Sequence, residues 1–268
     1  MPFHVQLVVT LITGSVVFCL VLGLFGFLSY KNQQTLPPAP LFPDSKFPCI
    51  FSYVYTICFG IIFAMGSIHS SLLQGTNSAV DDNLATFCIN ALYQIALYIP
   101  FLIIYMRLPS RRFSSTAGQK MLWVLGFLLL MLIPGMVLES MKFSEWIAEQ
   151  TGAPLLQDVV TTIKDGSIEI KIAMIVMAVI IAPVTEEVYF RGFVYNILKL
   201  WTSPVPAAIA SSFFFAIVHA SLTQAVPLML FALIQCWAYE KARSLWLPIV
   251  LHMIFNATSC LAILFLLD

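Results

Sequence analysis

Apolar residues run through this chain in long uninterrupted stretches, and polar residues collect in the gaps between them. A membrane-spanning helix needs about 20 largely apolar residues. On that rule the pattern predicts about eight spans, at approximately 6–30, 48–73, 84–106, 120–141, 170–198, 204–220, 225–242 and 245–267. The gaps read as connections. Residues 31–47 are proline-rich (Pro37, Pro38, Pro40, Pro43) and extended. Residues 74–83 are short and polar, and 107–120 is basic. Residues 142–169 form the longest polar stretch, within which the part around Leu155–Val160 suggests a short interfacial helix.

Charge placement sets an orientation, because loops on the cytoplasmic side collect Lys and Arg. With the N-terminus outside, the inner loops carry nine cations: Lys31, Lys46, Arg107, Arg111, Arg112, Lys120, Lys199, Lys241 and Arg243. The outer loops keep three, Lys142, Lys164 and Lys171. Eight spans with both termini outside follow.

Composition agrees: 60% of residues are hydrophobic and 10% charged, against about 25% charged in soluble domains. The expected fold is an all-α membrane protein, a polytopic bundle of about eight transmembrane helices. Four N-terminal spans (1–141) precede a polar loop (142–169) and a four-helix core (170–268). Net charge is zero, so no basic face points to nucleic acid. Cys19, Cys49, Cys58, Cys88, Cys236 and Cys260 lie in apolar segments without a CxxC pair, and read as small buried hydrophobes. The first apolar run lacks a basic leader and a small-residue cleavage site, so it reads as a retained span.

Against this background Glu186, Glu187 and Arg191 stand out, because they fall within a predicted span. A charge at mid-bilayer costs at least about 3 kcal/mol, which makes such a group a functional candidate. Glu187 and Arg191 are four apart with the carboxylate first, the favourable arrangement for a helical ion pair. Glu186 is offset by about 100° on the same helix and lacks that partner. Pro183, just before, can kink the helix and open space beside Glu186. Two later spans bring histidines: Phe215 and His219 share one face, and His252 and Asn256 share another. Converging on a bundle interior, these groups would supply a base, an orienting pair and oxyanion donors. They would equally supply two imidazoles and a carboxylate for a divalent metal with an open water position. No Ser or Cys is comparably placed as a nucleophile, so hydrolysis by an activated water fits best.

Glu186-Glu187-x-x-x-Arg191, Phe215-x-x-x-His219 and His252-x-x-x-Asn256 resemble the three motifs of the CAAX-protease and bacteriocin-processing (CPBP) family. This membrane-embedded family includes the Ras-converting prenyl endopeptidases and the bacterial Abi proteins. The resemblance covers roughly 170–260, and Gly192-Phe193 after Arg191 is consistent with it. It implies intramembrane peptide-bond hydrolysis at a catalytic set of Glu186, Glu187, Arg191, His219, His252 and Asn256. Glu186 and His219 would activate water, Glu187 and Arg191 would position the site, and His252 and Asn256 would stabilise the oxyanion. If the enzyme is metal-dependent, Glu186, His219 and His252 would bind a divalent ion such as zinc; the alternative is glutamate chemistry without metal. The implied substrate is a membrane-associated peptide or lipidated protein, prenylated or bacteriocin-like, met in the bilayer. The implied location is a bacterial inner or plasma membrane.

Blander readings exist for each part. Glu187–Arg191 alone fits a structural ion pair, and a lone His219 or His252 fits a hydrogen-bonded interior histidine. His69 and His4 have no spaced partner and read as structural or uninformative. A non-enzymatic polytopic immunity or scaffold protein, or a proton-coupled transporter, is the alternative function. The absence of similar halves speaks against the transporter. Counting at about 1.5 Å per residue, Glu186 and His219 lie about 20 Å from the inner ends of their helices and His252 about 10 Å. The three would meet only if a helix is tilted or short, or kinks at Pro183. The site is then expected on the inner-to-middle side of the membrane.

Overall fold

The computed structural model describes residues 99, 117–155, 158–199 and 202–266. The expected spans 6–30 and 48–73, nearly all of 84–106 and the loops between them lie outside the described residues. So do Cys19, Cys49, Cys58, Cys88, His4 and His69.

Every regular element among the described residues is helical. They are α1 (Ala117–Ser140), α2 (Phe143–Thr151), α3 (Asp158–Asp165), α4 (Ile168–Leu198), α5 (Pro204–Val218), α6 (Ala225–Ala242) and α7 (Trp246–Leu266). Three of them, α1, α4 and α7, are long and apolar enough to cross a membrane. With that composition the chain is an integral membrane protein. The stretch 142–169, expected as a polar loop, holds the short helices α2 and α3. α2 stops at Gly152, whose φ of 68° takes the left-handed conformation that ends helices and returns its N–H to the Ala148 carbonyl.

The central rod is α4. Ser167 caps it by accepting a hydrogen bond from the Ile170 N–H, with Glu169 in the first turn favouring the positive helix end. α4 is not a uniform α-helix. Met177–Ile181 and Val188–Val194 are wider π-helical segments flanking the turn Ala182–Glu187. Such bulges are rare and occur frequently at functional sites. The first ends just before Pro183, whose missing N–H and bulky ring disfavour a regular turn. The second is buried throughout, from Val188 to Val194, and is the centre of the core.

α5 and α6 pack side by side, joined by the short connection 219–224, and α6 also contacts α1 and α7. α7 leans on the first half of α4 and on α3. Aromatic contacts tie these helices together. Phe127 of α1 meets Trp237 of α6 edge-on at 5.3 Å. Phe190 of α4 meets Phe215 of α5 edge-on at 5.0 Å. Phe231 of α6 packs on Phe255 of α7 at 4.7 Å.

α5 is shorter than a full membrane crossing. α5 has 15 residues. At 1.5 Å per residue it spans about 22 Å, short of the ~30 Å hydrocarbon thickness. When one end lies at the surface, the other, with His219, stops within the slab.

Candidate active site

Glu186 and Glu187 close the turn between the two π-helical segments. Being about 100° apart around the axis, they enter different surroundings. The Glu187 side chain is fully buried, while that of Glu186 keeps 20% of its surface.

Glu187 collects donors from three helices on one oxygen. Its Oε1 accepts from Arg191 Nη1 at 2.9 Å, from His252 Nδ1 at 2.8 Å and from Gln235 Nε2 at 3.3 Å. The expected ion pair is therefore present, with His252 added to it. Arg191 is itself 1% exposed; its Nη2 donates to the Ala232 carbonyl at 3.2 Å and its guanidinium lies 4.8 Å from the Phe215 ring centre. A guanidinium held by a carboxylate, a carbonyl and an aromatic face is compensated for its loss of water.

Both histidines turn the same nitrogen towards Glu186. His219 caps the end of α5, where Ala220 takes a φ of 53° that costs a residue with a Cβ about 1–2 kcal/mol. Its Nδ1 bonds the Phe215 carbonyl at 2.7 Å. A carbonyl only accepts, so Nδ1 carries the proton. The same reasoning applies to His252 Nδ1 on the Glu187 carboxylate. In the neutral rings each Nε2 is then an acceptor. Each lies 3.9 Å from Glu186 Oε2. That oxygen is buried and has no hydrogen-bond partner among the described residues.

Asn256 lies four residues beyond His252 on α7. Its amide donates to the Ala178 carbonyl, in the first π-helical segment, at 2.7 Å. One amide hydrogen is thus committed to joining α7 to α4. Gln235 was not singled out by motif spacing. It is fully buried and also donates to the Pro248 carbonyl at 2.9 Å. A lone amide in an otherwise apolar span is the kind of signal that finds such a residue.

The donors Glu186, His219 and His252 are chemically of the type that binds zinc. As placed, no group of three or more His, Cys, Asp and Glu among the described residues is arranged to hold a metal ion.

Comparison with known proteins now bears on this geometry. Residues 168–258 match the family model described as "Type II CAAX prenyl endopeptidase Rce1-like". This segment, about a third of the chain, is thus similar to the CAAX-protease family. It holds the whole of α4, α5 and α6 and all six residues of the site. The chain is also 30% identical over 83 residues to "Putative membrane peptidase YdiL" of Bacillus subtilis (strain 168). That match covers 31% of this chain and 34% of the relative, so the chain spans about a third of the curated relative's length. No solved structure matches.

Proposed function

We propose that the chain is an intramembrane endopeptidase that hydrolyses a peptide bond of a membrane-associated substrate through a water activated by Glu186. The observation that carries this reading is the convergence of two imidazole Nε2 atoms on Glu186 Oε2, each at 3.9 Å. That separation is too long for a hydrogen bond and suits a shared water, which bonds each neighbour at about 2.8 Å. Glu186 takes a proton from the water, and His219, fixed as an Nε2 acceptor by its bond to Phe215, orients it. His252 is held at Nδ1 by the Glu187 carboxylate, which turns its Nε2 to the site. It is the group able to donate from Nε2 to the tetrahedral oxyanion and then to the leaving amine. The second amide hydrogen of Asn256 is available for the same oxyanion. Glu187 and Arg191 hold this constellation in place.

The substrate class is a peptide presented at or within the bilayer, prenylated or bacteriocin-like, and the location a bacterial inner or plasma membrane. The test is cleavage of quenched fluorescent peptides, one prenylated at a C-terminal CAAX sequence and one unmodified and amphipathic, by purified protein in proteoliposomes. Glu186→Ala and His219→Ala are expected to abolish cleavage while inserting normally, and chelator is expected to leave the wild-type rate unchanged. Wild-type turnover by Glu186→Ala would sink the reading. Chelator inhibition reversed by zinc would replace the metal-free water with a metal-bound one. Proton-dependent solute uptake without cleavage would favour a transporter.

A further inference from the structure

We infer that Gln235 is a positioning residue of this site, fixing the ring orientation and tautomer of His252 through Glu187. This rests on the assignment of His252 as the proton-donating group above.

Gln235 lies in the middle of α6, fully buried in a helix that is otherwise apolar around it. A buried amide without good partners would be destabilising there. Its two N–H groups are aimed at two acceptors on two other helices: Glu187 Oε1 of α4 at 3.3 Å and the Pro248 carbonyl of α7 at 2.9 Å. Both targets only accept, so the orientation of the amide is settled by chemistry. Pro248 lies four residues before His252, so its carbonyl belongs to the turn that carries His252. Gln235 therefore grips both partners of the Glu187–His252 hydrogen bond, the carboxylate directly and the imidazole through its helix. Arg191 reaches Glu187 from the same helix and α6 through Ala232, but not α7.

With Gln235 in place Glu187 Oε1 has three donors, and its acceptor strength is divided among them. Without Gln235, the oxygen would draw harder on the His252 Nδ1–H, and the α7 turn would lose its tie to α6. The ring would be held less firmly against Glu186. Outer-shell partners that orient a reactive imidazole typically account for 10–100-fold in activity.

The experiment uses the full-length protein with Gln235→Met, which keeps volume and removes both donors, and Gln235→Glu, which keeps shape. The first readout is the Nδ1–H proton resonance of His252 by NMR, assigned by its disappearance in His252→Asn; it does not depend on cleavage. Gln235→Met is expected to move it downfield. The second is peptidase kinetics on the quenched peptides above, where kcat should fall about 10–100-fold with KM nearly unchanged for both variants. Melting temperature separates this from general unfolding, and the Glu variant serves if the Met variant does not fold. An unmoved resonance, or wild-type kcat in either folded variant, overturns the inference. A moved resonance in a protein that cleaves nothing upholds the positioning role and rejects only the peptidase assignment.

Discussion

Replacing either of the adjacent glutamates by glutamine removes one charge and almost no volume, yet the two changes should differ sharply in stability. Glu187 is fully buried and, among the described residues, is the only carboxylate bonded to Arg191, which is 1% exposed. Glu187→Gln leaves a buried guanidinium without its counter-charge. Breaking a buried pair from one side typically costs about 3–5 kcal/mol. The lower end is expected here, because Arg191 keeps the Ala232 carbonyl and the Phe215 ring. At about 2–4 °C per kcal/mol for a chain of this size, the melting temperature should fall by at least about 6 °C. Glu186 Oε2, by contrast, has no hydrogen-bond partner among the described residues, and the side chain is 20% exposed. Glu186→Gln should therefore melt within about 2 °C of wild type, in the range of changes away from paired groups. Its peptidase rate should drop by about 10²–10⁴, the contribution of a general base. The assay pairs tryptophan-fluorescence melting in detergent with peptide cleavage. The double variant Glu187→Gln/Arg191→Met removes both charges and should recover most of the lost stability. The reasoning is refuted if Glu187→Gln melts like wild type, or if the double variant is no more stable than the single one.

Three further outcomes follow from the same geometry. Asn256→Ala removes the bond to the Ala178 carbonyl and should destabilise by about 1 kcal/mol while lowering kcat, measured by melting and cleavage together. Gly192→Ala should be tolerated, because a methyl there meets Leu245 at an ordinary 3.5 Å and helical alanine is favoured over glycine by about 1 kcal/mol; a melting temperature at or above wild type is expected. Lys199→Ala, which removes a partly exposed pair with Glu240, should change stability by no more than about 1 kcal/mol, and a larger loss in melting experiments would show that this helix end is more important than its exposure suggests.

Sequence pattern alone located the helices of the second half closely. The expected spans 170–198, 204–220, 225–242 and 245–267 correspond to α4, α5, α6 and α7. The reason is local: apolar runs stop where Lys199, Pro204, Gln224 and Arg243 make continued burial or helix costly. The Glu187–Arg191 pair was legible for the same reason, since both partners lie on one helix at fixed spacing. The polar composition of 142–169 concealed α2, while the short helix expected around Leu155–Val160 overlaps the start of α3 at Asp158–Asp165.

What required the tertiary structure was every contact between helices. The three motifs name the residues of the site, but spacing along a chain carries no information about which atom of one helix faces which atom of another. His252 was expected to act with Asn256 because the two share a face of α7. Folding adds what spacing did not show: His252 Nδ1 lies against Glu187, and Asn256 is tied to Ala178. Gln235 gains its meaning only when α6 is laid between α4 and α7. Glu186, His219 and His252 do meet, both imidazole Nε2 atoms lying 3.9 Å from Glu186 Oε2, which a count along straight, perpendicular helices did not allow. Hydrophobic periodicity and a handful of costly charges thus point, from sequence, to a polar site among apolar helices. Which proton each group holds, and towards what, is decided by packing, because hydrogen bonds depend on distances that only the assembled helices define.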